Sequence, residues 1–185
     1  MKEYKRNDPH FSLCGLNCAL CPRFHTEGAS KCPGCGGEDF SLKHPTCAVV
    51  TCNDKQDHVE FCFECSEYPC SRYAAAKPVD SFISYRNVDQ NMAHAKRNLQ
   101  GYLTELDERQ EILEVLISNY NDGKSKGLYC LAVNLLPLKT LQNIMQQIHT
   151  HVDSTDMAPK EKAKYVGVLL HENAEILQIE LKLRK

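Results

Sequence analysis

Cys14-x3-Cys18-x2-Cys21-x10-Cys32-x2-Cys35-x11-Cys47-x4-Cys52-x9-Cys62-x2-Cys65-x4-Cys70 is the stretch around which this chain is organised. It holds ten of the eleven cysteines, and the eleventh, Cys130, stands alone far downstream. Three of its gaps are Cys-x-x-Cys. That spacing lets two thiolates of one tight turn point at a single tetrahedral ion, each sulfur about 2.3 Å away. Cys32-Pro33-Gly34-Cys35-Gly36-Gly37 is the most specific of the three. Its glycines admit positive φ, so that backbone N–H groups can turn back towards the sulfurs. A lone Cys-x-x-Cys is weak evidence, whereas three in one short segment with four further cysteines interleaved point to metal. The expected ligands are all ten: Cys14, Cys18, Cys21, Cys32, Cys35, Cys47, Cys52, Cys62, Cys65 and Cys70.

The competing use of ten cysteines is a set of disulfides in a secreted module. Met1-Lys2-Glu3-Tyr4-Lys5-Arg6 leads into polar residues without the apolar core of a secretory leader. The expectation is therefore a cytoplasmic setting, where thiols stay reduced and available as ligands. Ten thiolates fill two four-ligand sites with two left over, which predicts about two zinc ions per chain. The simplest partition joins Cys18/Cys21 to Cys32/Cys35 and Cys47/Cys52 to Cys62/Cys65. Spacing allows interleaved groupings equally well.

Between residues 14 and 72 the chain is rich in Gly, Pro and Cys, with few periodic apolar residues. Thr46–Thr51 and Val59–Phe63 are its strand-like runs. Such a segment buries too little apolar surface to offset its chain entropy, so ligation has to supply the difference and the ion is structural. Residues 1–13 are polar and expected to be loose until Phe11 and Leu13 dock. Ser71 onward reads as a short helix stopped by Pro78.

Pro78 is the predicted boundary between a metal-binding module (1–77) and a helical bundle (78–185). From Val88, apolar residues recur at 88, 92, 95, 99, 102, 106, 113, 116 and 120, alternating steps of four and three, with Arg109 as the interruption. This predicts one helix of about thirty residues, ended by Asn121-Asp122-Gly123. Leu128, Leu131, Ala132 and Leu135 predict a second helix, and Leu141, Ile144, Met145 and Ile148 a third, with Pro137 between them. A last helix is expected from Pro159 to the C-terminus, begun by Asp153 or Asp156. Its apolar face would carry Val166, Leu169, Leu170, Ile176, Leu177 and Leu181. The fold class is thus mainly α, an irregular cysteine-rich module with little β followed by a bundle. That bundle is expected to keep its helicity when the metal is stripped.

Cys14-Gly15-Leu16-Asn17-Cys18-Ala19-Leu20-Cys21-Pro22, with Cys32-x-Gly34-Cys35 and Cys62-x-x-Cys65-Ser66-Glu67-Tyr68-Pro69-Cys70, resembles a bacterial and archaeal family of cysteine-rich domains of unknown function. Its members open on Cys-Gly-Leu-x-Cys-x-x-Cys-Pro and close on Cys-x-x-Cys followed by an aromatic-Pro-Cys. The resemblance covers roughly residues 11–73. It implies a prokaryotic protein and a zinc module whose ligands are the matching cysteines, and it implies no activity. Val50-Thr51 ahead of Cys52 departs from the pattern, which expects a basic residue there.

Several functions are disfavoured. With 22 Lys and Arg against 24 Asp and Glu, and no basic stripe near the cysteines, nucleic acid is not an expected partner. No run of eighteen apolar residues predicts a membrane span. Cys14-x3-Cys18-x2-Cys21 matches the cluster spacing of radical S-adenosylmethionine enzymes, but the strand–helix alternation of their barrel is missing downstream. An iron–sulfur electron carrier is the main alternative to zinc, because spacing separates the two metals poorly. No His-Glu-x-x-His arrangement suggests catalytic zinc. His10, His25, His44 and His58 near the cysteines, and His149 and His151 downstream, are not expected ligands. The chain is therefore expected to be a non-enzymatic zinc protein, its bundle offering a surface to a protein partner. Cys130, between Tyr129 and Leu131 in a helix-spaced apolar run, is expected to be a small buried hydrophobe.

Overall fold

The computed structural model describes residues 4–44, 46–55, 58–74, 79–152 and 155–185. Among them the chain is helix and loop, with one antiparallel bridge between Phe11 and Asn17. The cysteine-rich part is assembled from short pieces. These are a 3-10 turn at Cys18–Leu20, α1 (Phe40–Lys43), α2 (Ala48–Asn53), a second 3-10 turn at Cys62–Glu64, and α3 (Ser71–Ala74). The strand-like run Thr46–Thr51 enters helix α2 instead. The Thr51 N–H and hydroxyl both donate to the Cys47 carbonyl, at 2.9 and 3.1 Å, which closes the first turn. Val49 and Val50 then dock on a small apolar cluster of Tyr4, Leu13, Cys35 and Phe40. Tertiary contact has overridden β propensity. Val59–Phe63 likewise runs into a 3-10 turn.

Five longer helices follow: α4 (Val88–Arg97), α5 (Leu99–Tyr120), α6 (Lys126–Leu135), α7 (Leu138–His151) and α8 (Pro159–Ile176). The mainly helical architecture is the one the apolar spacing predicts. Two boundaries are corrected. The thirty-residue helix is two helices, broken at Asn98, whose backbone leaves the helical region at φ −153° and ψ 86°. The Asn98 side chain accepts the Gly101 N–H at 3.0 Å and caps α5. A Cβ at Gly101 would stand 2.4 Å from the Asn98 amide nitrogen, so a larger residue there would have to displace the capping side chain. The apolar rhythm passes straight through the break, which is why spacing alone misses it.

The second correction is the C-terminus. Helix α8 stops at Ile176, Gln178 takes a left-handed φ of 55°, and residues 177–185 form a tail. Ile176 and Leu177 are exposed rather than part of the buried face. The start of α8 is set by Pro159 and by the Glu161 carboxylate, which accepts the Ala158 N–H at 3.0 Å. Asp156 plays no such part, and the predicted cap at Asp153 and boundary at Pro78 lie outside the described residues.

The tail is pinned by residues 80–86. The Asp80 carboxylate, wholly buried, accepts from the Arg184 guanidinium at 2.8 Å, the Arg184 N–H at 2.9 Å, the Tyr85 N–H at 2.9 Å and the Ser84 hydroxyl at 3.1 Å. Burial alone would raise the Asp80 pKa. The Arg184 side chain and these N–H and O–H donors outweigh burial and hold it well below the usual carboxylate range. A depressed carboxyl contributes stability that is present above the unfolded pKa of about 4 and is lost as pH falls through the folded value. Asp80→Asn is therefore expected to lower Tm by a few degrees at neutral pH. The gap to wild type should close as both are melted at successively more acidic pH. A gap that widens on acidification would contradict this.

One hydrophobic core joins the cysteine-rich segment to the helices. Phe11, Leu20 and Phe61 are fully buried in the same cluster as Met92, Tyr102, Leu106, Leu113, Leu141 and Val166. The Phe11 ring lies 4.7 Å from Tyr102 and 5.3 Å from Phe61. The Cys18–Leu20 turn packs against both α5 and α6. The N-terminal residues are not loose either. The Arg6 side chain, 1% exposed, donates to the carbonyls of Glu60 at 2.7 and 3.0 Å, Phe11 at 2.9 Å and Cys35 at 3.3 Å, and it pairs with the Glu60 carboxylate at 3.2 Å. Arg109, the interruption in the apolar series, donates to the carbonyls of Val133 and Leu136 at 2.7 and 2.8 Å and pairs with Glu105. It thereby satisfies the open end of α6.

Candidate metal centre

The loop Ser12–Cys18 carries the first cysteines on a tight frame. The Ser12 N–H donates to the Leu16 carbonyl at 2.8 Å, and the Ser12 hydroxyl accepts the Leu16 N–H at 2.7 Å while lying 3.3 Å from the Cys14 sulfur. Gly15 has a φ of 92°, and a Cβ there would stand 2.5 Å from the Met92 side chain. Helix α4 thus closes directly over this loop, which a larger residue would push away. Buried polar groups lock it to the bundle. The Tyr102 hydroxyl donates to Asn17 at 2.7 Å, Asn17 donates to the Asn134 side chain at 3.3 Å, and Asn91 donates to the Gly15 carbonyl at 3.0 Å. Asn17 is therefore a motif residue with a structural task that spacing did not single out.

The cysteines are all thiols, none cross-linked, and the chain path sorts them in an interleaved way. Cys14, Cys18 and Cys35 are close enough to feel one another's charge. Burial pushes the Cys18 thiol pKa well up, and its neighbours Cys35, Cys14 and Cys21 add to this. Burial also pushes Cys35 up to about 11, against the pull of the Arg6 guanidinium and the Leu13 N–H. Tyr85 is pushed up to about 12, first by burial and then by the charges of Cys14, Cys47 and Cys18. A second group, Cys52, Cys62, Cys65 and Cys70, lines one small cavity of about 40 Å3, together with Tyr68, Tyr73 and Asn53. Asn53 Oδ1 is buried there without a hydrogen-bond partner. Cys21 neighbours both Cys18 and Cys32. The Cys21 thiol is raised mainly by burial and next, among the groups that raise it, by Cys32. Cys130, 2% exposed in α6, is pushed up to about 12 by burial, with a further push from Cys21.

This differs from the sequential partition. Cys70 lines the same cavity as Cys52, Cys62 and Cys65, Cys14 neighbours Cys18 and Cys35, and Cys21 neighbours both Cys18 and Cys32. Spacing could not reveal this, because the grouping is set by where the Cys18–Leu20 turn docks. The histidines stay apart: His25 Nε2 lies 2.6 Å from the Ala19 carbonyl, His10 packs edge-on to Phe24, and His44 stacks on Phe40. In kind and number the two sets of thiols suit a soft tetrahedral ion. Among the described residues, no three His, Cys, Asp or Glu side chains yet converge tightly enough to hold one. No helix among them is long and apolar enough to cross a membrane.

No curated protein and no solved structure matches this chain. Residues 10–75, the segment that carries all ten clustered cysteines, match the model of a family described as a protein of unknown function, DUF3795.

Proposed function

We propose that this is a metal-binding protein in which about two zinc ions hold the cysteine-rich segment in shape, one served by Cys14, Cys18, Cys35 and Cys47 and one by Cys52, Cys62, Cys65 and Cys70. The observation that carries this reading is the second group, four thiols around a single small cavity in a segment with a sparse apolar core. Zinc bound there would supply positive charge that lets buried thiolates form, and with it folding free energy. Within the chain, the Arg6 guanidinium and the Leu13 N–H already offset charge at Cys35, and the Ser12 hydroxyl lies 3.3 Å from the Cys14 sulfur. An ion enclosed by four thiolates leaves no open position for substrate, so the role is structural and the helices are the surface offered to a protein partner.

Single substitutions test the grouping. Cys65→Ser is expected to lose about one of two metal equivalents by elemental analysis, whereas Cys130→Ala keeps both. Loss of an equivalent in Cys130→Ala would show that helix α6 closes a site with Cys21 and Cys32. Full retention in Cys65→Ser would remove the second group.

A further inference from the structure

Away from the thiol groups, the C-terminal tail roofs a cavity of about 360 Å3 between helix α6 and the segments around Leu20 and Ile83. That volume falls within the range of small-molecule sites, roughly 300–1,000 Å3. Its walls are apolar, with Leu20, Ile83, Leu128, Leu131 and Leu181 among them, and Phe82, 54% exposed, also lines it. The charged residues among its lining are two exposed lysines, Lys182 and Lys185. A third cation lies alongside, with the Arg23 guanidinium 5.1 Å above the Phe82 ring.

The roof is anchored rather than draped. Arg86 donates to the carbonyls of Glu180 and Lys182 at 2.7 and 2.8 Å, and Arg184 is bound by Asp80. These bonds engage the tail's backbone and Arg184 while leaving the Lys182 and Lys185 side chains outside them. An apolar interior with two lysine side chains and no Asp or Glu side chain among its described lining residues is complementary to a hydrocarbon chain ending in an anion.

We propose that this cavity binds a medium-chain fatty carboxylate, its chain against Leu20, Leu128 and Leu131 and its head group beside Lys182 and Lys185. The inference stands independently of the metal assignment. Calorimetric titration of the full-length, metal-loaded protein tests it, with decanoate as probe and decyltrimethylammonium as its cationic counterpart, both kept below micelle formation. Decanoate is expected to saturate one site per chain, with the cationic amphiphile giving no saturable heat. The double variant Lys182→Glu/Lys185→Glu changes only exposed side chains and is expected to weaken decanoate at least about tenfold. Leu131→Trp, which fills the cavity, is expected to abolish binding. Absence of saturable decanoate binding to the wild-type protein, equal binding of the cationic amphiphile, or an affinity unchanged by the lysine reversal would each overturn the proposal.

Discussion

A fragment of residues 80–185 is expected to lose cooperative thermal melting, although it contains every long helix. The apolar spacing of those helices predicts a self-sufficient bundle, yet its core is completed from outside. Phe11, Leu20 and Phe61 sit at 0, 0 and 1% exposure among Met92, Tyr102 and Leu106. Each such side chain stabilises by about 1.5–3 kcal/mol when buried. Removing all three costs an amount comparable to the whole stability of an ordinary domain, about 5–15 kcal/mol. The buried polar bonds from Tyr102 to Asn17 and from Asn17 to Asn134 are lost with them, leaving polar groups of the bundle without partners. Circular dichroism of the fragment should show reduced helicity and a broad, shallow melt. A sharp melt with the helicity of the same residues in the intact chain would show that residues 78–185 are a separate domain, as their spacing alone predicts. Chelation of the intact protein under reducing conditions is expected to disturb the helices for the same reason.

Arg6→Ala is expected to destabilise the intact, metal-loaded protein by about 3–5 kcal/mol, the cost of removing one partner from a buried ion pair. The guanidinium gathers three separate stretches, at Phe11, Cys35 and Glu60, and it stands 5.1 Å from the Phe61 ring. Glu60 is held in turn by the N–H groups of Asp8 and Asn7 at 2.9 and 3.3 Å, so its charge would remain fixed in place without its partner. Arg6→Lys should restore little, because one ammonium cannot reproduce the planar fork. Urea unfolding of the three proteins checks this. A loss below about 1 kcal/mol would mean that the contacts are made by a side chain the fold does not need.

What could be read in the sequence and what could not divide along physical lines. Helices α6 and α7, and the body of α8, follow from apolar periodicity and from Pro137, because those faces bury against one another much as spacing assumes. The break at Asn98 escapes periodicity, since a cap replaces one hydrogen-bonded turn without shifting the apolar face. The tail escapes it because Leu181 keeps helical spacing while Asp80, a hundred residues away in sequence, takes the chain out of the helix. Arg6 looks like one more charge in a polar leader, and only the fold shows four carbonyl contacts and a carboxylate meeting it. For the candidate centre, Cys-x-x-Cys spacing identifies the chemistry of the donors but not their partners. Which thiols face one another depends on how the loops pack, as with Gly15 lying under Met92, and that is not a local property of the motif.

The central claim, that thiolate-bound zinc shapes the cysteine-rich segment, is tested most directly by elemental analysis of protein purified without oxygen, read together with its visible spectrum. The account predicts about two zinc ions per chain and a colourless solution. A brown sample absorbing near about 400 nm with stoichiometric iron would contradict it and make the protein an iron–sulfur electron carrier.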